Sequence, residues 1–407
     1  MGTSPITGSS LLDGLIRSGS EAARLMEGGS QRMGAGFLHT LREICQQPET
    51  WRDTSHRMAG KAEAIRGVLA GARSLTLTGS GSSEYAGECV RLALQHDLAI
   101  DCQTLSGGTI LTHGATALPK GRPGVMVSLA RSGDSPESVG ALRLVRAAEP
   151  GVRHLVLTCN ERGSLAREVD GAHVVTLDER TNDRSLVMTS SFTNLSLAAR
   201  FLGFADTEEA SARYTELCRQ LAASAERLIS TEFDSLARVA RLPFRRAVFL
   251  GSGERHGAAR EAALKMLEMT AGRIPAMAES FLGLRHGPMA YVQGDTLLVC
   301  FLSTGATMRR YERDLVAELN EKGIGVAKLL VGEEVPDELL GPQDHRIEMP
   351  GLSALGDANS AVLHVVVGQL LAFFRCLDEG LEPDSPSKDG VINRVVNSFK
   401  IHSLAAQ

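Results

Sequence analysis

A strand-to-turn signature occurs twice in this 407-residue chain at a fixed spacing. Leu77-Thr78-Gly79-Ser80-Gly81 is matched 172 residues later by Phe249-Leu250-Gly251-Ser252-Gly253. Gly133, which follows one apolar run, is matched by Gly305 after another at the same spacing, and His154-Leu155-Val156-Leu157 falls on Val326-Ala327-Lys328-Leu329. Three landmarks in one register predict a duplicated unit, so the chain must fold as two copies of one plan.

Within each copy, short continuous apolar runs alternate with amphipathic ones, the pattern of βα units. The first copy predicts strands at Leu75 to Thr78, Val125 to Leu129, His154 to Thr158 and His173 to Leu177, with helices near Glu84 to Gln95, Pro136 to Ala147 and Ser190 to Leu202. The second predicts strands at Ala247 to Leu250, Thr296 to Leu302 and Val326 to Val331. Strands without polar alternation are buried on both faces, which implies parallel sheets covered by helices. The expected fold class is α/β: two tandem domains, each a parallel sheet flanked by helices in a three-layer αβα sandwich. The segments expected are an N-terminal arm with at most one helix (1–47), a first domain (48–207), a linker helix (208–235), a second domain (236–380) and a C-terminal tail closing the site (381–407). A helical pattern also runs from Thr54 to about Ala70.

Composition removes several classes of function. A formal charge of -5 offers no basic footprint for nucleic acid or an anionic membrane, and Trp51 is the single tryptophan, which argues against base-stacking platforms. Seven cysteines with no C-x-x-C pair fit neither a disulfide framework nor a zinc site and agree with a reducing cytoplasm. The start of the chain shows no secretory pattern. The longest apolar stretch, Ser360 to Phe374, is broken by His364 and Gln369 and reads as a buried helix. The partner expected is a small molecule, with no nucleic acid, membrane, metal or cofactor.

Gly79-Ser80-Gly81-Ser82-Ser83 lies between a predicted strand and a predicted helix, where glycines permit close backbone approach and the helix N-terminus offers free N–H groups. It departs from the dinucleotide fingerprint, since Glu84 replaces the third glycine and His256 holds that place in the second copy. The loop Arg131-Ser132-Gly133-Asp134-Ser135-Pro136 also joins a strand to a helix at the same sheet edge and adds hydroxyls and a guanidinium. Each loop by itself also fits a capped turn. Together they predict a site for a phosphorylated small molecule, with Thr189-Ser190-Ser191 completing the rim.

In the second copy Glu261, Lys265 and Glu268 are spaced by four and three residues, so one helix face carries two carboxylates and a cation. That spacing alone also describes a surface ion-pair ladder. The residues follow the second Gly-Ser-Gly turn and precede Arg285-His286-Gly287-Pro288, whose histidine suits proton transfer near neutrality. A Schiff-base role for Lys265 is disfavoured, because two flanking carboxylates keep it protonated.

These motifs, with Met188-Thr189-Ser190-Ser191, Pro383-Asp384-Ser385-Pro386 and Val391-Ile392-Asn393-Arg394-Val395-Val396, resemble a double sugar-isomerase (SIS) domain protein. The likeness runs from Gln47 onward and is narrowest to the AgaS group of tagatose-6-phosphate ketose/aldose isomerases and galactosamine-6-phosphate deaminases. It implies that Gly81, Ser82, Ser83, Ser132 and Ser135 bind the sugar phosphate and that Arg131, standing where related synthases have glutamine, adds a cation. It implies that Glu268 moves the proton between C2 and C1, that Glu261 and Lys265 line the same sugar site, and that Arg394 replaces a C-terminal lysine. His286 is implied to assist ring opening, acting in trans in a homodimer. Ser190 and Ser191 complete the candidate binding set. With no glutaminase segment, amide transfer is excluded and release of ammonia is not. The function expected is conversion of galactosamine 6-phosphate to tagatose 6-phosphate and ammonia without a cofactor. The alternatives are isomerisation only, glucosamine 6-phosphate as substrate, or a non-catalytic sugar-phosphate sensor. His364, Cys159 and Cys300 read as core residues, and Arg309, Arg310 and Arg313 as a solvated helix face.

Overall fold

In a computed structural model, which describes residues 8–27, 36–119, 123–170, 173–387, 389–395 and 399–402, the repeat becomes two five-stranded sheets. Of the sequence features named above, the chain start, much of the N-terminal arm, Val396 and the end of the tail lie outside the described residues. The first sheet comprises β1 (Ser74–Gly79), β2 (Asp101–Ser106), β3 (Gly124–Ala130), β4 (Arg153–Thr158) and β5 (Val174–Thr176). Its order is β2-β1-β3-β4-β5, parallel throughout. The helices that accompany it include α1 (Ser82–Leu98), α2 (Pro136–Ala148) and α3 (Ser190–Arg200). β1 and β3 are buried at every residue, and Met126, Val156, Leu142 and Val145 join β3, β4 and α2 in one core. Trp51 is fully buried and donates from Nε1 to Thr193 Oγ1 at 2.9 Å, a core position with a polar tether rather than a stacking surface.

A 33-residue helix, α4 (Glu208–Ala240), precedes the second sheet and runs past the expected end at residue 235. β6 (Arg246–Gly251), β7 (Ala276–Glu279), β8 (Thr296–Phe301), β9 (Ala327–Gly332) and β10 (His345–Glu348) follow the order β7-β6-β8-β9-β10, the same plan as the first sheet. Its helices include α5 (Glu254–Met269), α6 (Ala306–Lys322) and α7 (Asp357–Asp378). Leu298, Cys300, Leu315, Val316 and Leu330 pack β8, β9 and α6 together. α7 is long and apolar enough to cross a bilayer, yet 94% of its apolar window is buried inside the protein.

The repeat register holds for two landmarks and drifts at the third. β1 and β6, and the starts of β3 and β8, are 172 residues apart. Val125 pairs with Arg153, however, while Leu297 pairs with Ala327, so β4 and β9 are 174 apart. His154-Leu155-Val156-Leu157 therefore corresponds to Lys328-Leu329-Leu330-Val331. An even shift keeps every side chain on its own face, so both alignments place the same sets of residues toward each layer of helices.

The fold departs from the sequence pattern at three further places. β2, β7 and β10 are strands that the sequence pattern does not predict; they are edge strands with little full burial, so they lack the continuous apolar run that marks their neighbours. The N-terminal arm carries three helices among its described residues, Ser10–Arg17, Glu21–Met26 and Leu38–Cys45, rather than one at most. Each is too short to establish a period, and Ser9 and Ser20 cap the first two. The pattern from Thr54 is likewise split, into Gln47–Ala59 and Ala62–Leu69. The chain forms two compact units, one of residues 1–48, 184–189 and 220–391, the other of 49–183, 190–219 and 392–407.

The paired glycines do the same work in both copies. Gly81 and Gly253 have φ of 57° and 58° at the starts of α1 and α5, a conformation costly for other residues. Gly79 and Gly251 meet the following helix directly: a methyl group on Gly79 would lie 2.6 Å from the backbone of Ser83, and one on Gly251 would collide with Arg255. Gly79→Ala and Gly251→Ala should each lower stability by about 1–3 kcal/mol. Urea unfolding checks this, and an unchanged midpoint would show that the helix can retreat freely.

Candidate active site

In the first copy α1 opens directly after β1, so Ser82 and Ser83 occupy its first turn and are buried beside the end of the strand. The Ser80 hydroxyl is also buried and has no hydrogen-bond partner among the described residues. After β3, Gly133 takes φ of 70° and the turn is braced from behind. Asn160 Nδ2 donates to Ser132 O at 2.8 Å, and the Leu165 amide donates to Gly133 O at 2.8 Å. Pro136 starts α2 with Ser135 at its cap, and the Ser135 hydroxyl donates to Glu137 Oε2 at 2.6 Å. Two strand-to-helix turns thus present hydroxyls and amides at the C-terminal edge of one parallel sheet, the usual location of ligands in such folds.

Arg131 is almost fully buried and donates from Nη2 to the backbone carbonyl of Arg394 at 2.6 Å. The Arg394 guanidinium is spent on the chain: Nε donates to Asp183 O at 2.7 Å and Nη2 to Asn182 Oδ1 at 2.6 Å. Asp183, which sequence reasoning missed, is the node of this network. Its carboxylate accepts from the Ser190 hydroxyl at 2.6 Å and from the Ser191 amide and hydroxyl at 2.9 and 2.5 Å. Ser190 and Ser191, expected at the rim, are fully buried at the start of α3 with both hydroxyls turned onto this carboxylate. An acidic residue seven positions before a helix carries no periodic signal, so nothing in the sequence marks it.

In the second copy one face of α5 brings Glu261, Lys265 and Glu268 together as the spacing predicts. Lys265 Nζ lies 2.5 Å from Glu268 Oε2 and 3.3 Å from Glu261 Oε1. The ladder is not on the surface, since Glu261 and Lys265 are buried and Glu268 retains 24% exposure. Burial pulls the Lys265 ammonium down, but the Glu261 and Glu268 carboxylates outweigh it and its pKa ends above the ordinary lysine value. A lysine held charged in this way is an electrostatic group and not an amine nucleophile. His286 follows the short helix Phe281–Leu284, anchored by its amide to Gly283 O at 2.9 Å, and its ring is exposed.

The residues expected in the core lie there, while one of the three arginines expected on a solvated face departs from it. Cys159 and Cys300 are buried, which pushes both thiols up to about 12. His364 is fully buried edge-on to Phe301, and burial followed by the charge of Arg255 keeps its pKa well below the usual histidine range. Arg310 and Arg313 are solvated, but Arg309 is half-buried and donates to Ser303 O at 2.7 Å and to Glu334 O at 3.1 Å.

No family model matches the chain. It is 38% identical over 378 residues to an AgaS protein of Streptomyces coelicolor, a match covering 90% of this chain and 96% of that one. It is 31% identical over 392 residues to the D-galactosamine-6-phosphate deaminase AgaS of Shewanella sp. (strain ANA-3), covering 94% and 96% of the two chains. The crystal structure of tagatose-6-phosphate ketose/aldose isomerase from Escherichia coli superimposes with a TM-score of 0.82 at 29% identity, covering 93% of this chain and 99% of that one.

Proposed function

The chain belongs to the AgaS family of tandem sugar-isomerase-domain proteins, and we propose that it is an isomerising deaminase that converts galactosamine 6-phosphate to tagatose 6-phosphate and ammonia. The observation that carries the reading is the α5 trio, in which a permanently charged lysine sits between a buried carboxylate and a solvent-accessible one. Such a set can remove and return a proton while stabilising the negative charge that develops in between.

In this reading the turns around Ser82, Ser83, Ser132 and Ser135 hold the 6-phosphate, so that binding energy remote from the reacting carbons goes into orientation. His286 helps open the pyranose, serving the neighbouring copy of a cytoplasmic homodimer. Glu268 takes the proton from C2 of the open-chain amino aldose, giving an enolamine, and returns it to C1. The ketimine then left at C2 adds water and expels ammonia, yielding the ketose phosphate. With a hydroxyl at C2 the same two proton transfers stop at isomerisation.

The test is ammonia release by the purified protein from galactosamine 6-phosphate and glucosamine 6-phosphate in parallel. Release from the galacto epimer, with tagatose 6-phosphate formed in equal amount, is the expected result. Release from the gluco epimer alone would correct the substrate, and silence on both with folded protein would remove the deaminase reading.

A further inference from the structure

The duplication places a second pair of turns where the first copy carries its phosphate-type turns. Thr304 and Gly305 correspond to Ser132 and Gly133, and Arg255 at the start of α5 corresponds to Ser83, each 172 residues on. In the second copy these groups converge on one carboxylate. Asp357 Oδ1 accepts from the Thr304 amide at 2.9 Å, the Thr304 hydroxyl at 2.7 Å and Arg255 Nη2 at 2.5 Å, while Oδ2 accepts from the Gly305 amide at 3.1 Å. Consecutive backbone amides, a hydroxyl and a guanidinium are the donor set that a phosphate dianion takes.

Three further facts bear on what this cluster is. Arg255 is fully buried, and its Nε and Nη1 have no hydrogen-bond partner among the described residues, so one carboxylate leaves donor capacity unused. The next amide back, on Ser303, together with its hydroxyl, is taken by Glu312 at 2.9 and 2.7 Å, which closes the turn from the other side. In the first copy, by contrast, no carboxylate accepts from the Ser132 or Gly133 amide among the described residues, and Asp134 faces away onto Ser164.

We propose that the turn at Thr304-Gly305 and Arg255 form a second oxyanion cradle, suited to a phosphate-class dianion, which this chain keeps closed with the carboxylate of its own Asp357. Asp357 stands in for the phosphate, so the second copy takes no sugar phosphate while that side chain is in place. The occupant is a permanent one: burial raises the Asp357 carboxyl, but Arg255 and the Thr304 donors outweigh this and hold it at about 2, so it is ionised at every pH at which the protein would be used. An internal carboxylate closes the second cradle without dismantling the fold around it.

The test is equilibrium dialysis of the full-length protein against radiolabelled inorganic phosphate at constant ionic strength. Asp357→Ala should bind one more phosphate per chain than the wild type, and Asp357→Ala combined with Arg255→Met should return to the wild-type number. The readout is a difference, so failure of the phosphate reading for the first-copy turns would change the wild-type number and leave the gain intact. An unchanged count in folded Asp357→Ala, or a gain that survives loss of Arg255, overturns the proposal. If Asp357→Ala does not fold, Asp357→Ser keeps a hydroxyl near the Thr304 donors while vacating the space the carboxylate fills and leaving Arg255 without its anion. Its thermal midpoint should then rise with phosphate by more than the wild-type midpoint does. Equal rises in the two proteins would overturn the proposal as well.

Discussion

Replacing Glu268 with glutamine is expected to lower kcat for ammonia release by roughly 10²- to 10⁴-fold, with KM for the sugar phosphate little changed. Glutamine keeps the volume of the side chain, and its carbonyl oxygen still accepts from Lys265, so the helix and the ground-state contacts persist. What is lost is the basic oxygen. Glu268 is singled out over Glu261 by access, since its side chain retains 24% exposure while that of Glu261 has none. A base must reach the substrate carbon, and a sealed carboxylate can only influence it through the lysine between them. Steady-state kinetics on Glu268→Gln and Glu261→Gln separate the two roles. A Glu268→Gln enzyme with wild-type kcat and raised KM would make Glu268 a binding group, and a Glu261→Gln enzyme that alone lost turnover would move the proton transfer to Glu261.

The trio was legible because three residues on one helix obey a spacing, and the parallel strands were legible because burial on both faces leaves an unbroken apolar run. Features that depend on contacts between distant segments left no such mark. β2 and β10 have neighbours on one side only, so their polar residues resemble loop. Asp357 meets Thr304 across 53 residues of chain, and its role follows from the fold, which brings the start of α7 to the turn after β8. Asp183 is a similar case. Its carboxylate takes the Ser190 and Ser191 hydroxyls at the start of α3, a contact that the spacing of these residues does not announce. Arg309 differs from Arg310 and Arg313 for the same reason: a carbonyl on the preceding turn and two on the loop after β9 lie within its reach.

Replacing Lys265 with methionine should destabilise the protein by about 3–5 kcal/mol, the usual cost of removing one partner from a buried ionic cluster. Lys265 is 1% exposed and Glu261 is fully enclosed, so the remaining carboxylate has no solvent to fall back on. The pH dependence gives the loss a signature. In the wild type the folded pKa of Lys265 lies above its unfolded value of 10.5, so its contribution is complete below that pH and is lost only as pH rises through the folded value. At neutral pH the whole contribution is present. In Lys265→Met the cation is gone, and the enclosed Glu261 carboxylate keeps a charge that burial disfavours. Relative to the wild type, the variant should therefore lose least in mild acid, where Glu261 can protonate, and more as pH rises toward 8. Adding Glu261→Gln should recover part of the loss and flatten that slope, because the fully enclosed carboxylate is then gone. Urea unfolding at pH 5 and pH 8 for the four proteins of this cycle reads both effects. A single variant that loses less than about 1 kcal/mol, with no dependence on pH, would mean that the trio behaves as a solvated surface ladder. The case for a preorganised acid/base set on α5 would then fail with it.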